Sequence, residues 1–256
     1  IVIPAYQPDN KLIKLIEKIH EKSDFRILVI DDGSSSKCQN IFDKAEQYAT
    51  VLRNRVNQGK GQALKTAFTY IQQQNSYGTV VTADADGQHK IWDIFRTANK
   101  ASENPNKLIL GVRAFTGKVP LRSRFGNSLT KAIFKLQTGV GVTDTQTGLR
   151  AFTTNLIPFM LKIEGQRYEY EMNMLLEATK EYEILEVPIE TVYINDNEGS
   201  HFRPIKDGLM IYKNIFKFAL SSLSSFVVDY LVYAIAILFL PTAPTNFRIF
   251  LANGLA

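Results

Sequence analysis

Short apolar runs alternate with longer amphipathic ones along the first half of the chain, and this alternation restricts its fold more than any other feature. Ile1 to Tyr6 is followed by Lys11 to Ile19, where Leu12, Ile13, Leu15, Ile16 and Ile19 recur at helical spacing, and then by Phe25 to Ile30. The pattern predicts a helix near Cys38 to Tyr48, a strand at Thr50 to Arg53, a helix at Gly61 to Gln73, and strands at Gly78 to Ala83 and Lys107 to Val112. Strand-length apolar runs separated by one-sided helices make an α/β domain with a mainly parallel, doubly wound sheet. Ligands of such sheets gather outside the carboxyl ends of the strands.

Three of these strand ends carry chemistry: Pro4-Ala5-Tyr6-Gln7, Asp31-Asp32-Gly33-Ser34 and Asp84-Ala85-Asp86-Gly87-Gln88-His89. Asp84, Asp86 and Gln88 offer the hard oxygens that Mg²⁺ or Mn²⁺ takes when a diphosphate supplies the remaining ligands. The same residues would also make an ordinary Asp-Gly turn. Asp31 and Asp32 could accept hydrogen bonds from a base N–H or ribose hydroxyls, and could equally cap the next helix. Asn57-Gln58-Gly59-Lys60-Gly61 looks like a phosphate-binding loop opening a helix, with Lys60 on the phosphate side. It lacks the four-residue spacer and Lys-Ser/Thr ending of a P-loop, which excludes an ATPase of that type.

Composition separates the chain into two solvents. With 256 residues, 45% hydrophobic and 21% charged, it cannot be wholly disordered. Phe218 to Leu240, however, holds only one charge, Asp229, in 23 residues, enough to cross a hydrocarbon core about 30 Å thick. The expected division is therefore a soluble domain at residues 1–214 and the first span of a truncated membrane domain at 215–256. Setting aside Lys217, Arg248 and Asp229, the first domain carries 28 basic and 24 acidic residues, a net +4. Asn104 to Thr143 contains Lys107, Arg113, Lys118, Arg122, Arg124, Lys131 and Lys135 without an acid, a patch suited to an anionic partner. Within it, Leu121 to Gln137 places Phe125, Leu129, Ile133, Phe134 and Leu136 broadly on one side, as expected of a helix lying on a membrane surface. Few stacking aromatics accompany the patch, which argues against nucleic acid. One cysteine, Cys38, excludes an intramolecular disulfide. The start at Ile1 without Met, and the end within an incomplete membrane segment, are expected of a fragment of a longer protein with no signal peptide before the first strand.

Ile3-Pro4-Ala5-Tyr6, Val29-Ile30-Asp31-Asp32-Gly33-Ser34, Asn57-Gln58-Gly59-Lys60-Gly61 and Asp84-Ala85-Asp86-Gly87-Gln88 stand in the order and spacing of family 2 glycosyltransferases, which the chain resembles. Gly111-Val112-Arg113, Asp144-Thr145-Gln146-Thr147-Gly148-Leu149-Arg150 and Ser200-His201-Phe202-Arg203 resemble the branch that glycosylates dolichyl and polyprenyl phosphates. The resemblance implies a GT-A, Rossmann-like nucleotide-sugar domain, with Pro4, Ala5, Tyr6, Asp31, Asp32, Lys60 and Asp84 around the nucleotide. It places Mg²⁺ or Mn²⁺ on Asp84, Asp86 and Gln88, and the acceptor phosphate on Arg122 or Arg124, Ser128, Ser200 and Arg203. Asp86, Arg113, Arg124 and Asp144 would carry catalysis. Lys217-Phe218-Ala219-Leu220 and Ser224 to Asp229 resemble the first span of a GtrA-like membrane domain.

A polyprenyl phosphate is already anionic near neutral pH, its second pKa being about 6, so it needs no general base to attack. The task becomes bringing two anions together, which metal and arginines can do. Asp144 is expected to orient an arginine or sugar hydroxyls in preference to taking a proton. Glu169 and Glu171 would pair with a nearby arginine or be surface helix charges. The expected activity is inverting, metal-dependent transfer of a hexose from UDP-glucose or UDP-N-acetylglucosamine to undecaprenyl or similar phosphate, at the cytoplasmic face of the cell membrane. A homo-oligomer is compatible with this reading. The alternatives are a family 2 transferase making cell-wall polysaccharide or teichoic acid, and a non-catalytic sugar-nucleotide-binding scaffold for a flippase.

Overall fold

The computed structural model describes residues 1–75, 78–113, 130–131, 134–190, 220–221 and 223–235. Its strands are β1 (Val2–Ala5), β2 (Leu28–Asp31), β3 (Thr50–Arg53), β4 (Thr79–Thr82), β5 (Lys107–Arg113), β6 (Arg150–Thr153) and β7 (Glu183–Ile189). The helices are α1 (Asn10–Lys22), α2 (Gln39–Ala45), α3 (Lys60–Gln73), α4 (Ile91–Glu103), α5 (Ile157–Lys162) and α6 (Glu169–Glu181). The strands form one sheet in the order β3-β2-β1-β4-β6-β5-β7. All pairings are parallel except those of β6, which runs against both β4 and β5.

Local rules account for these elements. Asp9 caps α1 by accepting from Lys11 N at 2.8 Å, and His20 and Lys22 occupy its last turn, where cations meet the negative end of the helix dipole. The predicted stripe Leu12, Ile13, Leu15, Ile16 and Ile19 is buried, each side chain contributing about 2 kcal/mol relative to exposure. β2 is buried along its whole length, as an interior strand of a parallel sheet must be. Alternation divides its side chains: Val29 joins Ile3 and Ala5 in the cluster built with α1 and α4, while Leu28 and Ile30 point to the face covered by α3.

Four elements were not expected from the sequence, α4, β6, α5 and β7, and the first two show why. α4 follows the β4 loop, and Asp93 and Thr97 interrupt its buried stripe of Ile94, Phe95, Ala98 and Ala101, blurring the helical period. Asp93 accepts from Arg96 and from Glu190 N, pinning α4 to the end of β7. The four-residue β6 is too short to announce itself, yet it matters most for function. Thr82 pairs with Arg150, so the antiparallel strand begins where its parallel neighbours end. The loop before β6 thus reaches the same sheet edge as the residues after β4 and β5.

The expected surface helix at Leu121 to Gln137 falls largely outside the described residues; residues 134–138 are helical. There Phe134 is 1% exposed and Leu136 85% exposed, so the two do not share a side as expected. Residues two apart on a helix are separated by about 200°, which explains the difference. The chain divides into compact units at Ile1–Phe202 and Arg203–Ala256. In the second, helical residues 220–221 and 223–235 leave Leu220, Leu223, Phe226, Tyr230 and Ile235 exposed. Among the described residues no helix is long and apolar enough to cross a membrane; the remainder of the expected span from Phe218 to Leu240 lies outside them.

Candidate active site

At the end of β2, Asp31 Oδ1 accepts from Ser34 N at 2.8 Å, closing a turn through Gly33. Gly33 has φ +69°, and a Cβ there would lie 2.3 Å from the Val56 carbonyl carbon, so glycine is required. Ser34 Oγ accepts from Gln7 N at 2.9 Å, joining this turn to the residues after β1. There Ala5 is buried and Tyr6 is 38% exposed. Asp32 is buried, with Oδ2 accepting from Gly59 N at 2.7 Å and Oδ1 from Gln58 N at 3.1 Å and Asn54 Nδ2 at 3.0 Å. Its carboxylate shapes the loop that opens α3 and so aims Lys60, the first residue of that helix.

Lys60 Nζ lies 2.7 Å from Asp84 Oδ1 and 2.9 Å from Glu171 Oε1. His89 Nε2 lies 3.3 Å from Asp84 Oδ2. Burial works against the Lys60 charge, but the Asp84 and Glu171 carboxylates outweigh it and hold the ammonium above the ordinary lysine range. Burial likewise opposes the Asp84 charge; Lys60 and His89 reverse that effect and keep its carboxyl well below the usual aspartate range. Asp86 is pushed the other way, by burial and then by the Asp84 charge. Two carboxylates that crowd each other, with an amide two residues on, suit the hard-oxygen ligand set of Mg²⁺ or Mn²⁺. Among the described residues no group of three or more His, Cys, Asp or Glu side chains is gathered for a metal, so such an ion would need further ligands from water or substrate. Gln88 N donates to Asp86 Oδ1 at 3.0 Å, setting the turn that carries all three residues.

Across the same edge, Asp144 is fully buried and grips Arg113 with both oxygens, Oδ2 to Nε at 2.6 Å and Oδ1 to Nη2 at 3.0 Å. The paired geometry fixes the guanidinium plane as a single ion pair could not. Gln146 N also donates to Asp144 Oδ1, at 3.0 Å. Thr147 Oγ1 donates to Gly111 O at 2.5 Å, and Thr82 Oγ1 to Gly148 O at 2.8 Å, tying the loop to β5 and β4. Gly148 packs against Asp84: a Cβ there would fall 2.4 Å from Asp84 Oδ2.

Arg150, 1% exposed, donates from Nε to Thr147 O at 3.0 Å and from Nη1 to the main-chain oxygen of Glu171. Burial lowers its pKa, while Glu171 and Asp144 counter that effect. The structure therefore brings Lys60, Asp84, His89 and Glu171 into one cluster, Arg113 and Asp144 into a second, and Arg150 beneath the loop between them. Arg122, Arg124, Ser128, Ser200 and Arg203, the expected acceptor-phosphate residues, lie outside the described residues.

Glu171 had no site role in the sequence reading, and His89, Gly148 and Arg150 stood in its motifs without a role of their own. Glu171 carried a usable signal: it sits four before Leu175 and seven before Ala178, both buried, so an acid occupies the apolar stripe of its own helix. Glu169 has a local task, its Oε1 accepting from Gln166 N at 3.0 Å and Arg167 N at 3.1 Å at the start of α6.

Residues 1–160 match the family model described as glycosyl transferase family 2. An uncharacterized protein of Methanocaldococcus jannaschii is 30% identical over 203 residues, covering 75% of this chain and 81% of its own length. The UDP-N-acetylglucosamine--dolichyl-phosphate N-acetylglucosaminyltransferase of Methanococcus voltae is 27% identical over 214 residues, covering 75% of this chain and 85% of its own length. The crystal structure of glucosyl-3-phosphoglycerate synthase from Mycobacterium tuberculosis, in complex with uridine diphosphate, shares the fold with a TM-score of 0.61 at 18% identity, over 86% of this chain and 78% of its own.

Proposed function

The chain belongs to glycosyl transferase family 2, is a glycosyltransferase with a GT-A-like α/β fold, and from that premise we propose that it transfers a hexose from a UDP-sugar to a polyprenyl phosphate. The observation that carries this reading is the charge arrangement at one sheet edge: the Asp84–Asp86 pair beside Lys60, and Arg113 held rigidly by buried Asp144. The Methanococcus voltae relative, whose name specifies a UDP-sugar donor and a dolichyl phosphate acceptor, supports the substrate class.

The reaction forms a bond from an acceptor phosphate oxygen to the anomeric carbon and breaks the bond from that carbon to the donor's β-phosphate, releasing UDP. Attack opposite the departing diphosphate inverts the anomeric centre. The acceptor oxygen carries its charge before the reaction, so no side chain must remove a proton. The obstacle is repulsion between acceptor and donor, about 4 kcal/mol for two unit charges at about 4 Å and an effective dielectric of about 20. Lys60 and Arg113 offset it from fixed positions, without reorganisation during reaction. Asp144, with both oxygens engaged and no exposure, orients Arg113 and is closed to proton transfer.

Asp84, Asp86 and Gln88 would hold Mg²⁺ or Mn²⁺, which when bound neutralises charge on the diphosphate. Pro4, Ala5, Tyr6 and Asp31 line the nucleoside side, with Asp32 contributing through the loop at Gln58 and Gly59. Arg122, Arg124, Ser128, Ser200 and Arg203 are assigned to the acceptor phosphate. Helical residues 220–221 and 223–235, which expose Leu220, Leu223, Phe226, Val227, Val228 and Leu231, are assigned to a membrane segment of GtrA-like type beginning near residue 215, which tethers the chain to the cytoplasmic membrane face.

The test uses the full chain in detergent with Mg²⁺, polyprenyl phosphate and labelled UDP-glucose, UDP-N-acetylglucosamine or another nucleotide sugar. Label extracted into chloroform with at least one donor is the expected result. Absence of extractable label with every donor overturns the reading.

A further inference from the structure

We propose that Glu171 is a positioning residue that acts through Lys60, keeping the ammonium in place when Asp84 turns to a divalent cation. The inference rests on the donor-binding role of this site given above, and it extends that role to a residue on a separate helix. Among the described residues Lys60 is held by both carboxylates, lying 2.7 Å from Asp84 and 2.9 Å from Glu171. The two carboxylates differ in what else surrounds them. Asp84 is 31% exposed at the loop that carries Asp86 and Gln88. Glu171 is 12% exposed, its Oε1 is buried and faces the Lys60 ammonium, and its own main-chain oxygen is held by the buried Arg150 guanidinium.

This asymmetry has an electrostatic consequence. A lysine 17% exposed cannot lose its only counter-ion without a large desolvation cost. If Asp84 alone held Lys60, directing Asp84 toward a cation would strand the ammonium or draw it away from the site. Glu171 supplies a second counter-ion on a fixed backbone, so the Asp84–Lys60 contact can open while Lys60 stays charged and in position. The freed side of the ammonium then faces the diphosphate that arrives with the cation. Glu171 Oε1 is buried and turned to Lys60, so this oxygen acts on a ligand through the ammonium.

A double-mutant cycle separates this role from a purely structural one. UDP affinity is measured calorimetrically with Mn²⁺ for the full chain and for Glu171→Gln, Lys60→Met and the double variant. Glu171→Gln is expected to weaken UDP binding about tenfold, and to weaken it no further once Lys60 is Met. A tenfold loss that persists in the Lys60→Met background overturns the proposal, because a defect in helix α6 would act whether or not Lys60 were present. Unchanged affinity in Glu171→Gln also overturns it. If Glu171→Gln does not fold, Glu171→Asp retains the charge but withdraws it by one methylene; it is expected to weaken UDP binding, and wild-type affinity in that variant contradicts the proposal. Should the unmodified chain fail to bind UDP, the donor assignment fails. The Glu171–Lys60 coupling is then read from Mn²⁺ affinity by electron paramagnetic resonance, where additive losses count against it.

Discussion

Gly148 and Asp144 act on different charges from one loop, and single substitutions should tell their effects apart. Alanine at 148 would place a Cβ 2.4 Å from Asp84 Oδ2 and 2.7 Å from Oδ1. The carboxylate is the softer partner and must turn away. Gly148→Ala should therefore weaken Mn²⁺ binding about tenfold, in proportion to one lost charged ligand contact, while the fold persists by circular dichroism. Unchanged Mn²⁺ affinity would show that Asp84 is not a ligand. Asp144 instead fixes Arg113. Asp144→Asn keeps one acceptor oxygen and should lower kcat/KM about tenfold; Asp144→Ala removes both and should lower it about 100-fold or more. Equal loss in both variants with a displaced pH profile would mean that Asp144 takes a proton. Asp84 is legible in the sequence as an acid closing an apolar strand, whereas Asp144, in the loop before β6, is singled out only by the family resemblance. The sequence did not show that Asp32 is spent on Gln58, Gly59 and Asn54, since which atoms satisfy a carboxylate depends on a loop 22 to 27 residues away.

β6 and α6 show how elements assemble the site. α1 and the strands β1 to β3 were legible because their apolar periods are uninterrupted, as in the buried stripe from Leu12 to Ile19. β6 was not, since a four-residue strand opening with a fully buried arginine looks like a loop. Only its antiparallel pairing with β4 and β5 carries Asp144 and Gly148 to the edge where Asp84 and Arg113 end. α6 then brings Glu171 to Lys60, a contact between residues 111 positions apart that no local pattern encodes. Its seat depends on Tyr170, whose hydroxyl donates to Met160 O at 2.8 Å within the protein interior. Tyr170→Phe should lower unfolding stability by about 1 kcal/mol through the unsatisfied carbonyl, read as a reduced denaturation midpoint. It should also weaken UDP binding if the seat of α6 sets Glu171. A lower midpoint with unaltered UDP affinity would mean that α6 tolerates the loss without moving Glu171.

At the scale of the whole molecule, the first unit has a GT-A-like fold and the second includes helical residues with exposed apolar side chains. The two fit one task if the acceptor is a lipid phosphate, because a soluble donor and a membrane-bound acceptor must meet at one surface. The central claim is that the acceptor's own phosphate is the nucleophile, and that no residue serves as a base. Its most direct test offers the full chain two acceptors with the same polyprenyl chain, one ending in phosphate and the other in the free alcohol, with a productive labelled donor and Mg²⁺. Rapid labelling of the phosphate and no measurable labelling of the alcohol are expected. Comparable transfer to the alcohol would require a general base and contradict that claim.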